Sequence, residues 1–156
     1  MIKKAKKFEK KNKIDKAIDA YTRAISINSS YVVSYYNLAN LYSEQGKLDK
    51  ALKLYQEAIS IKADYSEAYC NIGVVFKDLG QVDKAIDSFR KSISLKPNNP
   101  EAYRNLGVAF QYQGKLDEAI KAHKKSISLN PNDFETQKKQ AVERSLNYMG
   151  LIPGQK

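Results

Sequence analysis

The chain has 156 residues, of which 28% are charged and 42% fall in the hydrophobic class, a balance typical of a folded protein rather than a disordered one. One cysteine and one histidine exclude an internal disulfide framework and a CxxC metal site and leave little material for a zinc site or a histidine-based triad, so we predict no metal, no cofactor and no catalytic residue. The net charge of +10 raises the question of a nucleic-acid or acidic-membrane partner.

The positive charge is concentrated at the start of the chain. Residues 1–16 hold eight lysines against two acidic residues, which accounts for +6 of the +10. A candidate basic patch consists of Lys3, Lys4, Lys6, Lys7, Lys10 and Lys11. Such a patch would tether the chain to phosphate or to an acidic protein surface. The alternative, which we favour, is a solvated lysine-rich end, because the run carries no interleaved arginine.

A repeat of 34 residues organises the chain up to residue 133. Ser66–Asn99 and Pro100–Asp133 are identical at 18 of 34 positions without a gap, and Val32–Tyr65 shares nine identities with Ser66–Asn99. Residues 1–31 fit the same frame with the first three places missing. Self-similarity at this period indicates stacked units that bury their apolar faces against one another, so we predict three full units and one clipped unit.

Each unit is predicted to be an antiparallel helix pair joined by a tight turn. In its first helix, apolar residues recur at spacings of three, four and seven, which places them on one helical face. A left-handed C-cap is predicted at Gly46, Gly80 and Gly114. The second helix is predicted to start beside Asp15, Asp49, Asp83 and Asp117, acting as side-chain caps or as partners of the helix dipole. In the third full unit, Asn99-Pro100-Glu101 predicts a cap followed by a first-turn proline and acid.

The two ends of the repeat array differ from the middle. In the clipped unit, Met1 and Lys4 stand where an aromatic residue and a leucine belong, so only its second helix is predicted to be well formed and the start of its first helix to fray or dock elsewhere. After Asp133, residues 134–149 predict a polar capping helix that ends at Gly150, with Ala141 and Leu146 facing inward. We predict one domain over residues 1–149 and a short tail over residues 150–156.

The repeated residues resemble the tetratricopeptide repeat family, whose units carry a large aromatic, Leu-Gly, an aromatic, an alanine, an aromatic and a proline. The matching places in one unit are Tyr69, Ile72, Gly73, Phe76, Ala85, Phe89 and Pro97. The next unit matches too, except that His123 replaces an aromatic on a buried face, which predicts a core or half-buried histidine. The resemblance implies an all-α fold, a right-handed superhelical solenoid of antiparallel helix pairs with a C-terminal capping helix.

Within that family, Glu67–Gly80 is similar to the superhelical region of O-linked N-acetylglucosamine transferases, which implies a similar binding surface and not the enzyme. In the family, first helices line a concave groove that binds peptides. The residues implied to line it here are Tyr36, Asn37, Asn40, Cys70, Asn71, Val74, Lys77, Arg104, Asn105, Val108 and Tyr112, with Glu44, Asp78 and Gln111 beside them.

One pattern in this groove is an asparagine ladder, defined as Asn37, Asn71 and Asn105, one per unit. An amide side chain can pair with both the N–H and the C=O of an extended peptide, whatever the sequence of that peptide. The alternative is that each amide satisfies a neighbouring helix of its own chain. We predict a non-catalytic scaffold of the cytoplasm that holds an extended peptide or a partner helix.

The sequence also bears on three other partners: nucleic acid, a terminal carboxylate and a second copy of the chain. Charges of both signs flank the ladder, which disfavours a nucleic-acid groove, because such a groove would be predominantly basic. Some family members clamp a terminal carboxylate with lysine, asparagine and arginine. In this chain the places of two of those lysines hold Tyr36 and Glu101, and the place of the arginine holds Asn105. These replacements disfavour a terminal carboxylate as the ligand. A third hypothesis is homo-oligomerisation through open solenoid ends, including the apolar Leu151-Ile152 of the tail. No apolar run reaches the roughly 20 residues that a membrane helix needs.

Overall fold

A computed structural model describes residues 2–132, 134–148 and 150, with the side chains of residues 10–132 and 138–148. These residues form helices and connecting turns, without a strand. The helices are α1 (Ile2–Ile27), α2 (Val32–Glu44), α3 (Leu48–Ile61), α4 (Ser66–Asp78), α5 (Val82–Leu95), α6 (Pro100–Tyr112), α7 (Leu116–Leu129) and α8 (Phe134–Tyr148). The all-α helical repeat fold is therefore confirmed.

The chain divides into two compact units, residues 1–68 and residues 69–156. In the first unit, α2 packs against both α1 and α3. In the second, α6 packs between α5 and α7, and α8 packs against α7. The right-handed superhelical path and the single domain over residues 1–149 stay predictions. The predicted cap at Asp133 and the apolar residues Leu151 and Ile152 lie outside the described residues.

The first repeat differs from the predicted helix pair. α1 is one continuous helix of 26 residues and has no turn between a first and a second half. The prediction of a clipped pair with a frayed start was wrong for the backbone, which is helical from Ile2. The reason is the residue at the turn: Asn12 occupies the repeat place of Gly46, so no glycine is available to take the left-handed conformation that ends a helix.

The predicted glycine turns are confirmed in the three complete pairs. Gly46, Gly80 and Gly114 have φ values of +72°, +75° and +71°. After Gly80, the N–H of Gln81 donates to the carbonyl oxygen of Phe76 at 2.8 Å, which satisfies a carbonyl at the end of α4. The turn is therefore a glycine C-cap, and it lets the second helix start two residues later.

The helices begin in two different ways, either with or without a side-chain cap. α3, α5 and α7 begin at Leu48, Val82 and Leu116, and their N-cap side chains make no capping hydrogen bond. The aspartate that follows each start lies in the first turn, so its role is the favourable dipole contact and not a side-chain cap. At α6 the prediction is confirmed, since Asn99 Oδ1 accepts from the N–H groups of Glu101 at 3.1 Å and Ala102 at 3.3 Å.

The capping helix is present, but its inward face is not the predicted one. Ala141 is exposed and Leu146 is half-buried, whereas Gln140 and Glu143 are buried. Glu143 stands 34 residues after Ala109, which is also buried, so α8 keeps the phase of the repeat although the residue type has changed. Gln140 and Glu143 are buried like the residues at their repeat places, Leu106 and Ala109. Ala141 is exposed instead of facing inward as predicted.

Candidate functional site

The predicted binding residues lie on the first helices of the complete pairs. Those on α2 belong to the first compact unit, and those on α4 and α6 belong to the second. Half-buried side chains are found at Tyr36, Asn37, Asn40, Asn71, Val74, Lys77, Arg104, Asn105 and Val108. Tyr112 is 70% exposed. Cys70 is the exception, because it is only 3% exposed and belongs to the apolar core of its unit.

In the first unit, Tyr36 and Asn40 contact other side chains of the same unit. The ring of Tyr36 lies 4.9 Å from that of Tyr65 and 5.9 Å from that of Tyr55, measured between centroids. The hydroxyl of Tyr55 donates to Asn40 Oδ1 at 2.5 Å. Burial, followed by the neighbouring Tyr36 and the carboxylate of Glu67, raises the pKa of the Tyr65 hydroxyl above its ordinary value. These contacts orient the rings, so Tyr36 and Asn40 have a structural role besides any contact with a partner.

In the second unit, the amide of Asn105 reaches back to α4. Its Nδ2 donates to Cys70 Sγ at 3.8 Å, a distance at which sulfur accepts only a weak hydrogen bond. Cys70 is buried because it packs into the apolar core of this unit, although it was predicted to line a groove. The bond to its sulfur uses one of the two amide N–H groups of Asn105 and does not use the carbonyl oxygen.

The charged residues on α4 form a local pair. Lys77 Nζ lies 3.4 Å from Asp78 Oδ1, and both side chains are partly exposed. An exposed pair of this kind contributes little to stability. The opposite charges of the two side chains cancel at this end of α4. Charges of both signs, which the sequence predicted beside the asparagine ladder, therefore lie close together on α4.

A recess of about 330 Å³ brings three of the groove residues together with a residue that the sequence did not indicate. It is lined by Val108, Gln111 and Tyr112 of α6 and by Lys139 of α8. Lys139 follows Asn105 by 34 residues and thus occupies the ladder place of α8, a signal that was readable in the repeat frame. The recess combines an apolar wall, an exposed phenol, an amide and an ammonium group, which together can hold a short polar segment with an acidic or carbonyl oxygen.

Glu143 holds one wall of this recess in place. Its Oε1 accepts a hydrogen bond of 2.9 Å from Gln111 Nε2, and the side chain is 4% exposed. Burial raises the pKa of the Glu143 carboxyl above its ordinary value, while the Gln111 bond and the charge of Lys139 act in the opposite direction. A buried acid therefore links α8 to the end of α6.

The candidate basic patch is described only in part. Lys10 and Lys11 are exposed on α1, and the side chains of Lys3, Lys4, Lys6 and Lys7 lie outside the described residues. His123 is fully buried, as predicted. Over the residues with described side chains, no cluster of three or more histidine, cysteine or acidic side chains is arranged to hold a metal ion. None of the described helices combines the length and the hydropathy needed to cross a membrane.

Family comparisons account for most of the repeat array. A tetratricopeptide-repeat model matches residues 6–46, 39–80 and 75–114, and a second model of the same repeat matches residues 100–133. No curated protein gives a significant match to the sequence.

Solved structures with a similar fold are found. A crystal structure of MamA superposes with a TM-score of 0.79 at 25% identity and covers 93% of this chain and 84% of that one. A second MamA structure gives a TM-score of 0.69 at 29% identity, covering 78% and 67%. The first tetratricopeptide repeat domain of Spaghetti (RPAP3), bound to the HSP90 peptide SRMEEVD, gives a TM-score of 0.71 at 23% identity, covering 77% and 96%.

Proposed function

The chain belongs to the tetratricopeptide repeat family, and we propose that it is a non-catalytic interaction module that holds an extended peptide or a partner helix along its first helices. The observation that carries this proposal is the recess formed by Val108, Gln111, Tyr112 and Lys139. A solvent-open recess with one cation, one amide and one exposed aromatic ring is suited to a peptide, because tyrosine offers a large contact area at little entropic cost.

The asparagine ladder is the proposed source of sequence-independent affinity. Asn71 and Asn105 are half-buried, so each amide is partly ordered before a partner arrives. The weak bond from Asn105 to Cys70 supports this role, because it orients the amide while leaving its carbonyl oxygen to accept from a peptide N–H. Asn37 of the first unit is included by its repeat place.

The similar fold of a domain bound to a peptide is compatible with this proposal, although that likeness establishes the fold alone. The terminal-carboxylate ligand remains disfavoured here, because Tyr36 and Glu101 replace lysines of the clamp. We propose instead that internal, extended segments are the ligands. A cytoplasmic location, based on a composition with a single cysteine, is part of the same proposal.

The test is affinity capture from the native lysate by the wild type and by the triple variant Asn37→Ala, Asn71→Ala and Asn105→Ala. We expect the triple variant to lose its partners while its circular dichroism stays that of the wild type. A matched control replaces the exposed residues Asn12, Asn98 and Asn132 by alanine, and this control should capture normally. Unchanged capture by the ladder variant would exclude the ladder as the binding element.

A second candidate function rests on the charge of α1. Lys10 and Lys11 are exposed, and residues 1–16 carry most of the excess positive charge. If this helix binds nucleic acid or an acidic membrane, binding should fall steeply with salt and should be lost on deletion of residues 1–13. Peptide capture that survives this deletion would separate the two functions.

A further inference from the structure

In two of the complete helix pairs, a glycine of the first helix packs under a ring of the second, namely Gly73 under Phe89 and Gly107 under His123. In the remaining pair, Ala39 and Tyr55 occupy the same repeat places. All six residues are buried. A Cβ added at Gly73 would lie 2.5 Å from Phe89 Cε1, which shows how closely the two helices approach at this place. This small-to-large contact is the repeated element of the interface within a pair.

The second half of α1 presents the large side of that interface without a first helix folded against it. Tyr21 occupies the repeat place of Tyr55, and Ala17 and Ala24 occupy those of two fully buried alanines, Ala51 and Ala58. In α1 the three residues are only half-buried. The cause is the continuous backbone of α1, since a straight helix cannot return its first half onto its second half.

The last helix presents the small side of the same interface. Ala141 of α8 occupies the repeat place of Gly107 and is exposed, whereas its counterparts in the complete pairs are buried. α8 ends at Tyr148, and Gly150 has a φ of +71°.

We propose that the occupant of each unfilled face is a second copy of this chain, with α8 of one copy packed against residues 14–27 of α1 in the next. The two halves complement each other in the repeat frame, since α8 supplies the first helix and α1 the second helix of one full repeat. Ala141 would then lie under Tyr21 of the other copy as Gly73 lies under Phe89. The contact repeats the packing that each chain already makes in its α4–α5 and α6–α7 pairs.

The geometry of this contact determines the kind of assembly. The two surfaces differ, so the interface is heterologous and each added copy leaves one α1 face and one α8 face available. Association therefore continues beyond a dimer, as an open chain or as a ring if the rotation closes. This inference does not depend on the proposed peptide binding, which uses Lys139 of α8 but neither Ala141 nor Tyr21.

Sedimentation velocity of the purified chain over about three decades of concentration tests the proposal. We expect the weight-average mass of the wild type to rise past that of a dimer. Ala141→Glu should stay monomeric, because a carboxylate at this place would be buried against a tyrosine ring. The matched control is Val142→Glu, which adds the same charge at a neighbouring position that is 54% exposed and outside the proposed interface.

A mixing experiment distinguishes this head-to-tail contact from other self-association. Tyr21→Glu blocks the α1 face and leaves α8 intact, while Ala141→Glu does the reverse, so each variant alone should be monomeric and the mixture should form dimers only. Circular dichroism tests whether both variants are folded. If Tyr21→Glu does not fold, the comparison of Ala141→Glu with Val142→Glu decides the question by itself. A monomeric wild type, unchanged association of Ala141→Glu, or equal loss in Val142→Glu would overturn the proposal.

Discussion

The ring of His123 occupies the space into which a side chain at Gly107 would project. A Cβ added to Gly107 would lie 2.6 Å from Cε1 of the histidine and 2.8 Å from both ring nitrogens. His123 is fully buried, so its ring has little room to move aside. The close approach of α6 and α7 therefore depends on the absence of a side chain at position 107.

Gly107→Ala should destabilise the fold although it replaces glycine within a helix. The change in helix propensity favours alanine by about 0.5–1 kcal/mol, whereas overpacking a dense core costs about 1–3 kcal/mol. We expect a net loss in the free energy of unfolding, measured by urea denaturation followed by circular dichroism. In a His123→Ala background the added methyl group has space, so the same substitution should become neutral or stabilising. An equal loss in both backgrounds would show that the contact with His123 is not the cause.

Gly80→Ala should destabilise the turn for a different reason. A Cβ added here would meet no atom within 4 Å, so the effect comes only from the backbone, whose φ is +75°. The left-handed conformation costs a non-glycine residue about 1–2 kcal/mol. Gly80→Asn should cost less than Gly80→Ala, because asparagine tolerates this region, and a thermal-unfolding comparison of the two variants is the measurement. Equal effects of the two substitutions would contradict the backbone explanation.

The features that were predictable from the sequence are those that local signals determine. The turn at Gly80 and the cap at Asn99 depend on a few neighbouring residues, and the repeat frame placed His123 in the core. The continuous α1 was readable as well, because the absence of a glycine at Asn12 removes the turn signal. The prediction of a helix pair relied on the frame and gave too little weight to that one residue.

Two errors arose where packing between distant segments decides exposure. Cys70 shares its repeat place with Tyr36 and Arg104, which suggested a groove residue, but it packs into the apolar core formed with neighbouring helices. On α8, Ala141 and Leu146 were predicted to face inward. Gln140 and Glu143 are buried like Leu106 and Ala109 at the same repeat places, whereas Ala141 is exposed although Gly107 at its repeat place is buried. The type of a residue alone therefore does not predict its burial, because packing between helices decides which positions are covered.

Asn99→Ala should weaken the start of α6. The Asn99 side chain accepts from two backbone N–H groups that would otherwise lack a partner in the first turn. Loss of such a cap typically costs about 1 kcal/mol, and denaturant titration should show this difference. The matched control is Asn98→Ala, which removes the same amide from an exposed position one residue earlier. A control variant as destabilised as Asn99→Ala would argue against the cap.

Glu143→Gln should remove a pH dependence of stability. Burial raises the pKa of Glu143 in the folded chain above its ordinary value of 4.5, so the folded state holds this proton more tightly than the unfolded state. The free energy of unfolding should therefore fall as the pH rises from the ordinary to the raised pKa, and the penalty persists above that range. Glutamine keeps an oxygen that accepts from Gln111 and carries no charge, so the variant should be more stable than the wild type at neutral pH and equal to it below about pH 4. The measurement is urea denaturation at several pH values, with the exposed Glu118→Gln as control, and a variant whose advantage does not change with pH would contradict the burial of the charged form.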